Sequence, residues 1–256
     1  MKVSVLIANY NNYQYIDQCI NSILNQTYKN FEIIFFDDYS TDRSLDQINN
    51  FSDVVIIKNN KKKIFGSYNQ INAYKEAFLK STGDIVCFLD SDDYFESNKL
   101  ELIIKEFKEK SELKVIFDLP IHQYEKKRLF KKNKNKIFKT YWPYIPPQSC
   151  ISVRKEIIIE MLNSIEFDLF PNIWMDFRIC IFSKYILNDF YILNKNLTNY
   201  RINNLSVNAK FKFLTIQWWK RRIEAHEYIK HYFKLNKIKY SRNLDFFLTK
   251  LINFLL

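Results

Sequence analysis

Along the first 110 residues, apolar runs of strand length alternate with stretches whose apolar residues recur every three or four positions. Val3–Ala8, Phe31–Phe36, Val54–Ile57 and Ile85–Leu89 are nearly continuous in apolar side chains, the pattern of strands covered on both faces. Between them, Ile16, Ile20, Ile23 and Leu24 keep helical spacing, as do Leu45 with Ile48, and Tyr74 with Ala77 and Phe78. The alternation predicts a parallel α/β sheet with right-handed crossovers.

The pattern breaks after Asp118. Residues 126–139, KKRLFKKNKNKIFK, carry eight Lys/Arg in fourteen positions and no acid, and are expected to form a mobile, exposed loop. A proline-containing stretch, WPYIPPQSC, follows, and Arg154–Leu162 and Trp174–Ile186 read as helices. Near the end of the chain Leu244, Phe247, Leu248, Leu251, Ile252 and Leu255 fall on one broad apolar stripe of an amphipathic helix, which reads as a packed helix. The expected organisation is an α/β half over residues 1–118, a second half of the same domain over 119–209, and a basic helical region over 210–256.

Composition narrows the chemistry. The chain has 256 residues and only two glycines, Gly66 and Gly83, where average usage gives roughly 18. Glycine-rich phosphate loops are therefore absent. The four cysteines, Cys19, Cys87, Cys150 and Cys180, are widely spaced, and His122, His226 and His231 make no zinc pattern with them, so reduced thiols in a cytosolic protein are expected. No apolar run approaches the ~20 residues of a membrane span, and VSVLIA is short for a secretory leader. The expected location is the cytoplasm, with peripheral attachment to the inner face of the cytoplasmic membrane as a variant. High Lys, Asn, Ile and Phe fit an AT-rich bacterial genome. The net charge of +11 is unevenly spread: residues 1–110 carry 13 Lys/Arg and 16 Asp/Glu, the remainder 26 and 12. The two halves are expected to meet different partners.

In parallel α/β sheets ligands bind beyond the carboxyl ends of the strands, so acids clustered there matter most. The first strand runs into Ala8-Asn9-Tyr10-Asn11, the second into Asp37-Asp38-Tyr39-Ser40-Thr41-Asp42, and the fourth into Asp90-Ser91-Asp92-Asp93. Two carboxylates ~5 Å apart repel by about 3 kcal/mol at an effective dielectric near 20, so such a cluster wants a cation. Oxygen ligands without His or Cys suit Mg²⁺ or Mn²⁺, which keep water and substrate phosphates as their other ligands. Solvated turns and helix N-caps use the same residues, but the position after a buried strand favours the metal.

These segments resemble the family 2 glycosyltransferases of the GT-A (Rossmann-like) fold. VSVLIANYNNYQYIDQCINSILNQTYKNFEIIFFDDYSTDRS and STGDIVCFLDSDDYFESNKLELI are similar, in order, to that family's "VSVIIPTYN…YI…SILNQTY…EIIVVDDGSTD" and "A.GDYI.FLDSDD". The resemblance covers about the first 110 residues. It implies an inverting, nucleotide-sugar-dependent transferase with a DxD motif and a mainly helical C-terminal extension. Ala8, Asn9 and Tyr10 would line the base pocket through backbone atoms, with Ala8 and Asn9 replacing the usual Pro-Thr. Asp38 would accept from the uracil N–H, which makes UDP the expected nucleotide. Asp92 would be the direct metal ligand, and Asp90 would lie nearer the ribose and sugar while sharing the metal site. Asp42 reads instead as a helix N-cap or first-turn acid.

In the second half, WMDFRICIFSKY resembles the family's "ED" segment, whose acid is the usual general base; Asp176 takes that place and Met175 replaces the glutamate. The competing role for Asp176 is to favour the helix dipole, and Asp168 is the next candidate base. Tyr200-Arg201-Ile202-Asn203-Asn204-Leu205-Ser206 is close to the family's "YRxHxxS". Arg201 is expected on a phosphate or in a surface ion pair, while Asn203 stands where a His is common. The three histidines read as solvated. In Trp218-Trp219, followed by Lys220-Arg221-Arg222, one indole is expected in the core and the other at a membrane or acceptor surface.

The leading reading is transfer of a hexosyl or N-acetylhexosaminyl group to a hydroxyl of a growing surface glycan in cell-envelope polysaccharide biosynthesis. Asp176 would take the acceptor proton as the hydroxyl attacks C1, through an oxocarbenium-like transition state. The expected partners are a nucleotide-sugar donor, a glycan or lipid-linked acceptor, an anionic membrane surface and a second copy of the chain. A nucleic-acid-binding protein is the alternative, from a pI near 9.3 and the basic run, but the acidic strand ends argue against it. A catalytically silent relative is disfavoured by Asp38, Asp90, Asp92 and Asp176 occurring together.

Overall fold

The four apolar runs form β1 (Val3–Asn9), β2 (Phe31–Asp37), β3 (Val54–Lys58) and β4 (Ile85–Asp90), paired in parallel in the order β3-β2-β1-β4. The computed structural model describes residues 1–60, 66–132, 140–163, 169–202 and 211–256; Asp168, Asn203 to Ser206 and residues 133–139 of the basic run lie outside the described residues. The crossovers carry α1 (Ile16–Leu24), α2 (Ser44–Ile48) and α3 (Gly66–Leu79); β5 (Tyr94–Phe95) and α4 (Lys99–Glu109) follow β4. Successive side chains leave opposite faces of a strand, so two cores form. Val3, Val5, Ile7, Ile85, Cys87 and Leu89 pack with α1 and α4, whereas Leu6, Val86 and Phe88 pack with α3 on the other face. Gly83 is required by close approach: a Cβ there would meet the Ser4 amide nitrogen at 2.7 Å and the Lys2 carbonyl at 2.8 Å. All four cysteines are buried free thiols.

Beyond α4 the sheet continues but ceases to be parallel. It adds β6 (Val115–Gln123), β7 (Arg128–Phe130), β8 (Ile151–Arg154) and β9 (Tyr191–Arg201). The full order is β3-β2-β1-β4-β8-β6-β9-β5, with β7 on β6; β8 runs antiparallel to β4 and β6, and β9 parallel to β6. The basic run is thus partly strand: β7 hydrogen-bonds to β6, and the Arg128 guanidinium holds Glu96 at 2.5 Å and Asn199 at 2.7 Å.

The remaining helices are α5 (Lys155–Asn163), α6 (Met175–Tyr185), α7 (Ile216–Leu235) and α8 (Leu244–Leu255). Thr215 caps α7, accepting from the Trp218 N–H at 3.3 Å, and Asn243 caps α8, accepting from the Phe246 N–H at 2.9 Å. Three expectations are overturned here. His226 is fully buried, not solvated: it packs at a tilt against Trp142 and edge to face with Phe246, and faces the Asp245 carboxylate at 3.3 Å. Trp218 and Trp219 are both half-buried, packed edge to face with ring centroids 4.6 Å apart. Most strikingly for its sequence pattern, α8 packs by its polar side. Asp245 meets Arg222 and His226 of α7, Phe246 and Thr249 are buried, and the Asn253 amide donates to the Trp219 carbonyl at 2.9 Å. Leu244, Phe247, Leu248, Leu251 and Leu255 face outward, with Leu244 80% exposed. The reason is polar: a half-buried arginine needs an anion and a buried imidazole a polar partner more than the stripe needs cover.

The two halves of the sheet are joined by an ion pair with no exposed surface. Lys99 Nζ, at the start of α4, lies 2.7 Å from an Asp118 carboxylate oxygen on β6. It also donates to the Ser149 carbonyl and the Thr198 hydroxyl oxygen, each at 2.7 Å, and Thr198 donates to the second Asp118 oxygen at 2.7 Å. Removing one partner of such a pair strands a buried charge, so Lys99→Met is expected to lower the unfolding free energy by about 3–5 kcal/mol in urea denaturation. Lys99→Met with Asp118→Leu should recover much of that loss. A single-variant loss below about 1 kcal/mol would show that the pair does not organise the sheet.

Candidate active site

Strand register gathers the candidate residues. Ala8 pairs with Phe36 on one side and Asp90 on the other, and Asn9 pairs with Asp37, so the loops after β1, β2 and β4 open on one edge. Backbone and side-chain bonds then lock these loops together. The Ser91 N–H donates to the Ala8 carbonyl at 3.1 Å, the Asp38 N–H to the Asn9 carbonyl at 2.8 Å, and the Asn12 amide to the Ser91 hydroxyl at 2.9 Å.

The paired aspartates after β2 have different work. Asp37 accepts from the Asn9 amide at 2.7 Å and the Ser40 N–H at 3.0 Å, which shapes the turn. Asp38, also buried, accepts from the Asn59 amide at 2.7 Å just beyond β3. Asp42 accepts from the Tyr13 and Ser44 N–H groups at 3.0 and 2.9 Å; it stands one residue before the α2 N-cap, Arg43, and so is neither the cap nor the first-turn acid expected. Asn11 and Tyr39 hold φ of 52° and 61°; asparagine enters that region readily, whereas tyrosine stores strain there. The Tyr10 ring is exposed.

After β4 three carboxylates share one turn. Asp90 accepts from the Tyr74 hydroxyl at 2.7 Å and the Gln70 amide at 3.0 Å; burial pushes its carboxyl up, against the downward pull of those bonds. Asp93 is buried and accepts from the Ser149 hydroxyl at 2.5 Å and the Arg201 N–H at 2.9 Å. Burial, then the charges of Asp92 and Asp90, raise it well above the usual carboxylate range, and it ties the turn to β9 and the segment before β8. Asp92 is half-buried. Among the described residues no three His, Cys, Asp or Glu side chains form a metal cluster by themselves. Asp90 and Asp92 nevertheless supply the oxygen donors that suit Mg²⁺ or Mn²⁺, cations that commonly take one or two carboxylates and complete their shell with water and phosphates. The donor set therefore fits such a cation.

Asp176 stands in the first turn of α6, accepting from the Phe177 N–H at 2.6 Å. Burial pushes its carboxyl up; Arg221 pulls it down, and the charge of Asp90 pushes it up further. The helix that carries Asp176 packs against α3, whose Gln70 and Tyr74 hold Asp90. The loop before α6 is held by Arg178, which is buried and donates to the carbonyls of Ile173 (3.0 Å), Leu169 (3.1 Å) and Phe170 (3.0 Å). Phe170 carries a φ of 66°. Arg201 makes no surface ion pair among the described residues: it lies between the Tyr15 and Tyr94 rings, 4.6 and 5.1 Å from their centroids, and donates to Gln18. Register thus unites Ala8, Asn9, Asp38, Asp90 and Asp92, and tertiary packing adds Asp176 and Arg201. Sequence reading missed Gln70, Tyr74, Ser149, Arg178 and Arg221. Gln70 lies four residues before Tyr74 on one face of α3, a spacing that could have paired them.

This sheet, with carboxylates converging where β1, β2 and β4 end, is that of the GT-A glycosyltransferases. The chain belongs to glycosyl transferase family 2, whose family model matches residues 4–165. An uncharacterized glycosyltransferase of Nostoc sp. is 32% identical over 219 residues, 79% of this chain and 65% of that protein. The Escherichia coli UDP-Glc:alpha-D-GlcNAc-diphosphoundecaprenol beta-1,3-glucosyltransferase WfaP is 43% identical over 100 residues, 38% of each chain. The chain thus spans less than two thirds of these relatives' length. Among solved structures, Staphylococcus aureus TarS in complex with UDP-GlcNAc superposes with a TM-score of 0.65 at 16% identity, covering 99% of this chain and 70% of that one. The Pyrobaculum calidifontis mannosyltransferase PcManGT, in complex with GDP-Man and Mn²⁺, gives 0.62 at 11% identity, covering 99% and 69%. At those identities the likeness establishes the fold. Among the described residues no helix is long and apolar enough to cross a membrane.

Proposed function

We propose that the protein transfers a sugar, with inversion, from a UDP-linked donor to a hydroxyl of a bacterial envelope glycan or lipid-linked saccharide. The observation that carries this reading is the meeting of Asp38, Asp90 and Asp92 on one edge, with α6, which carries Asp176, packed against α3, the helix whose Gln70 and Tyr74 hold Asp90. UDP-GlcNAc in TarS and the donor in the WfaP name support the nucleotide; the WfaP acceptor supports a lipid-linked saccharide. Residues 1–118 hold the donor, with Ala8, Asn9 and Tyr10 around the base and Asp38 accepting from the uracil N–H. Residues 119–209 form the acceptor side, and Arg201 faces a phosphate. Asp90 and Asp92 would hold Mg²⁺ or Mn²⁺, which would supply positive charge toward the departing diphosphate.

Asp176 is the base. The first turn of α6, pinned by Arg178, holds its carboxylate in place to take the acceptor proton as the hydroxyl attacks C1. The base acts when ionised, and burial raises its folded pKa above the ordinary value near 3.9, so activity is present above that raised pKa and lost as pH falls through it. Asp176→Asn is expected to lower kcat by about 10²–10⁴-fold with little change in donor binding, and to abolish that acid limb. A near wild-type rate in this variant would make Asp176 structural. For the metal, Asp92→Asn should remove Mn²⁺-dependent UDP binding in calorimetry while far-UV circular dichroism stays unchanged; equal UDP affinity with and without Mn²⁺ in the wild type would count against it.

The C-terminal region supports a bilayer partner. Residues 210–256 hold eleven Lys/Arg against three acids, and α8 turns Leu244, Phe247, Leu248 and Leu251 outward beside exposed Arg242 and Lys250. Asp245, its one acid, is engaged by Arg222. An apolar face rimmed by cations suits an anionic bilayer, each basic residue near such a surface adding about 1 kcal/mol. The chain should sediment with vesicles of phosphatidylglycerol at low salt and much less with phosphatidylcholine. Equal sedimentation with both, or a concentration-dependent dimer that buries Phe247, would replace the bilayer by another occupant.

A further inference from the structure

A cavity of about 360 Å³ runs along α7, which lines it with Trp218, Arg221, Arg222 and Ala225. Ile173, just before α6, and Phe177, in its first turn, form a second side, and Trp142 and Ile145 a third. That volume is in the range of small-molecule sites.

Both arginines in the wall already have their counter-charges. Arg222 meets Asp245, donates to the Thr249 hydroxyl at 3.2 Å, and lies 4.9 and 5.0 Å from the Trp142 and Trp218 centroids. Arg221 lies over the Phe211 and Trp174 rings, 4.9 and 5.8 Å from their centroids, with the charges of Asp176 and Glu224 acting on it. A further anion would compete with these acids for charges already balanced. What the cavity offers a guest is ring and aliphatic surface, and covering that surface is favourable by area alone.

The chain just before α7 carries the apolar surface outward. Phe213 is 75% exposed and rests edge to face on the wall residue Trp218, with 5.1 Å between centroids, and Leu214 and Ile216 beside it are exposed too. Leu214 holds a φ of 65°, strained for leucine, in a turn that gives three apolar side chains to solvent. The last turn of α8 lies alongside the first turn of α7: the Asn253 amide donates to the Trp219 carbonyl at 2.9 Å, and Phe254 is exposed. The outward face of α8, the Phe213 turn and the cavity wall are therefore neighbours.

Building on the reading of a lipid-linked acceptor, we propose that this cavity holds the prenyl chain of the acceptor's carrier. A chain rooted in a bilayer against α8 reaches the cavity over Phe213 and Trp218. The wall rings are set at differing angles, 55° between Trp142 and Phe177 and 78° between Phe213 and Trp218, so the surface is uneven. Methyl branches fill such a surface with fewer voids than a straight acyl chain, and each void forfeits dispersion contacts. The site thus selects for a branched apolar chain.

Tryptophan fluorescence reads the cavity directly, because Trp142 and Trp218 form its walls. The full chain is titrated with geraniol, a short prenyl alcohol, and with 1-decanol, a straight alcohol of the same carbon count. Transfer out of water alone favours the saturated decanol, so geraniol binding about threefold tighter is the expected mark of a fitted site. Ala225→Leu, which fills the cavity from α7, should weaken geraniol about tenfold, the scale of two methylenes displaced, with UDP affinity unchanged. Phe247→Ser with Leu251→Ser, on the outward face of α8, should leave geraniol affinity as it is. Thermal unfolding identifies a variant that fails to fold, and Ala225→Val then supplies a smaller filling. No saturable geraniol binding, or binding lost in the α8 variant and kept in a folded Ala225→Leu, overturns the proposal. Decanol binding as tight as geraniol or tighter overturns the prenyl chain in favour of an acyl chain. UDP calorimetry separates the two readings: a chain that binds UDP and not geraniol keeps glycosyltransfer and loses the prenyl site, whereas one that binds geraniol and not UDP refutes glycosyltransfer and keeps the site.

Discussion

A lysine ammonium with no path to water has to be neutralised where it lies, and in this protein that requirement joins the two halves of the sheet. Lys99 comes from α4, which follows the Asp90 to Asp93 turn and β5; Asp118, Thr198 and the Ser149 carbonyl come from the later strands and the segment before β8. The pair fixes the distance between the β4 end and β6, β8 and β9. Ser149 then uses its hydroxyl on Asp93, and Asp93 holds the Arg201 backbone. One buried charge thus determines where three later segments stand relative to the turn that bears Asp90 and Asp92. A hydrophobic pair would fill the volume with less desolvation cost but without this directional set of bonds.

Crowding of acids at the site is managed by giving each a separate partner. Asp37 and Asp42 serve backbone N–H groups, Asp93 serves as an anchor, and Asp90 is steered by Tyr74 and Gln70 of α3. This division leaves Asp38, Asp90 and Asp92 in the positions where the loops open. The same logic governs Asp176, whose helix start is set by Arg178 binding three carbonyls of the preceding loop. Positive φ at Tyr39 and Phe170 marks two loops of the site in which local strain is stored.

The helical C-terminal region shows how polar requirements override amphipathic pattern. Its apolar stripe was legible, yet α8 faces α7 with Asp245, Phe246, Thr249 and Asn253. Arg222 and His226 on α7 select that face. The result is an outward apolar surface on one side and, on the other, an Arg222 guanidinium held against the Trp142 and Trp218 rings, 4.9 and 5.0 Å from their centroids.

The sequence alone determined the parallel α/β architecture of the first half, because strands buried on both faces must be written as continuous apolar runs and their crossovers as helices with one apolar face. It also determined which acids fall at strand ends, since the parallel register follows from those runs, and the named positions Ala8, Asn9, Asp38, Asp90 and Asp92 come together on one edge. His226 could not be read from spacing, because its burial depends on Trp142 and Phe246, 84 residues before it and 20 after it in the chain. Nor could Gln70, Tyr74 and Ser149 be picked out as supports of the acidic turn, or Arg221 as the cation beside Asp176. Only the tertiary structure decided those, because a side chain's partner across the sheet is set by where distant segments pack, and local periodicity records which face a residue takes but not what it meets there.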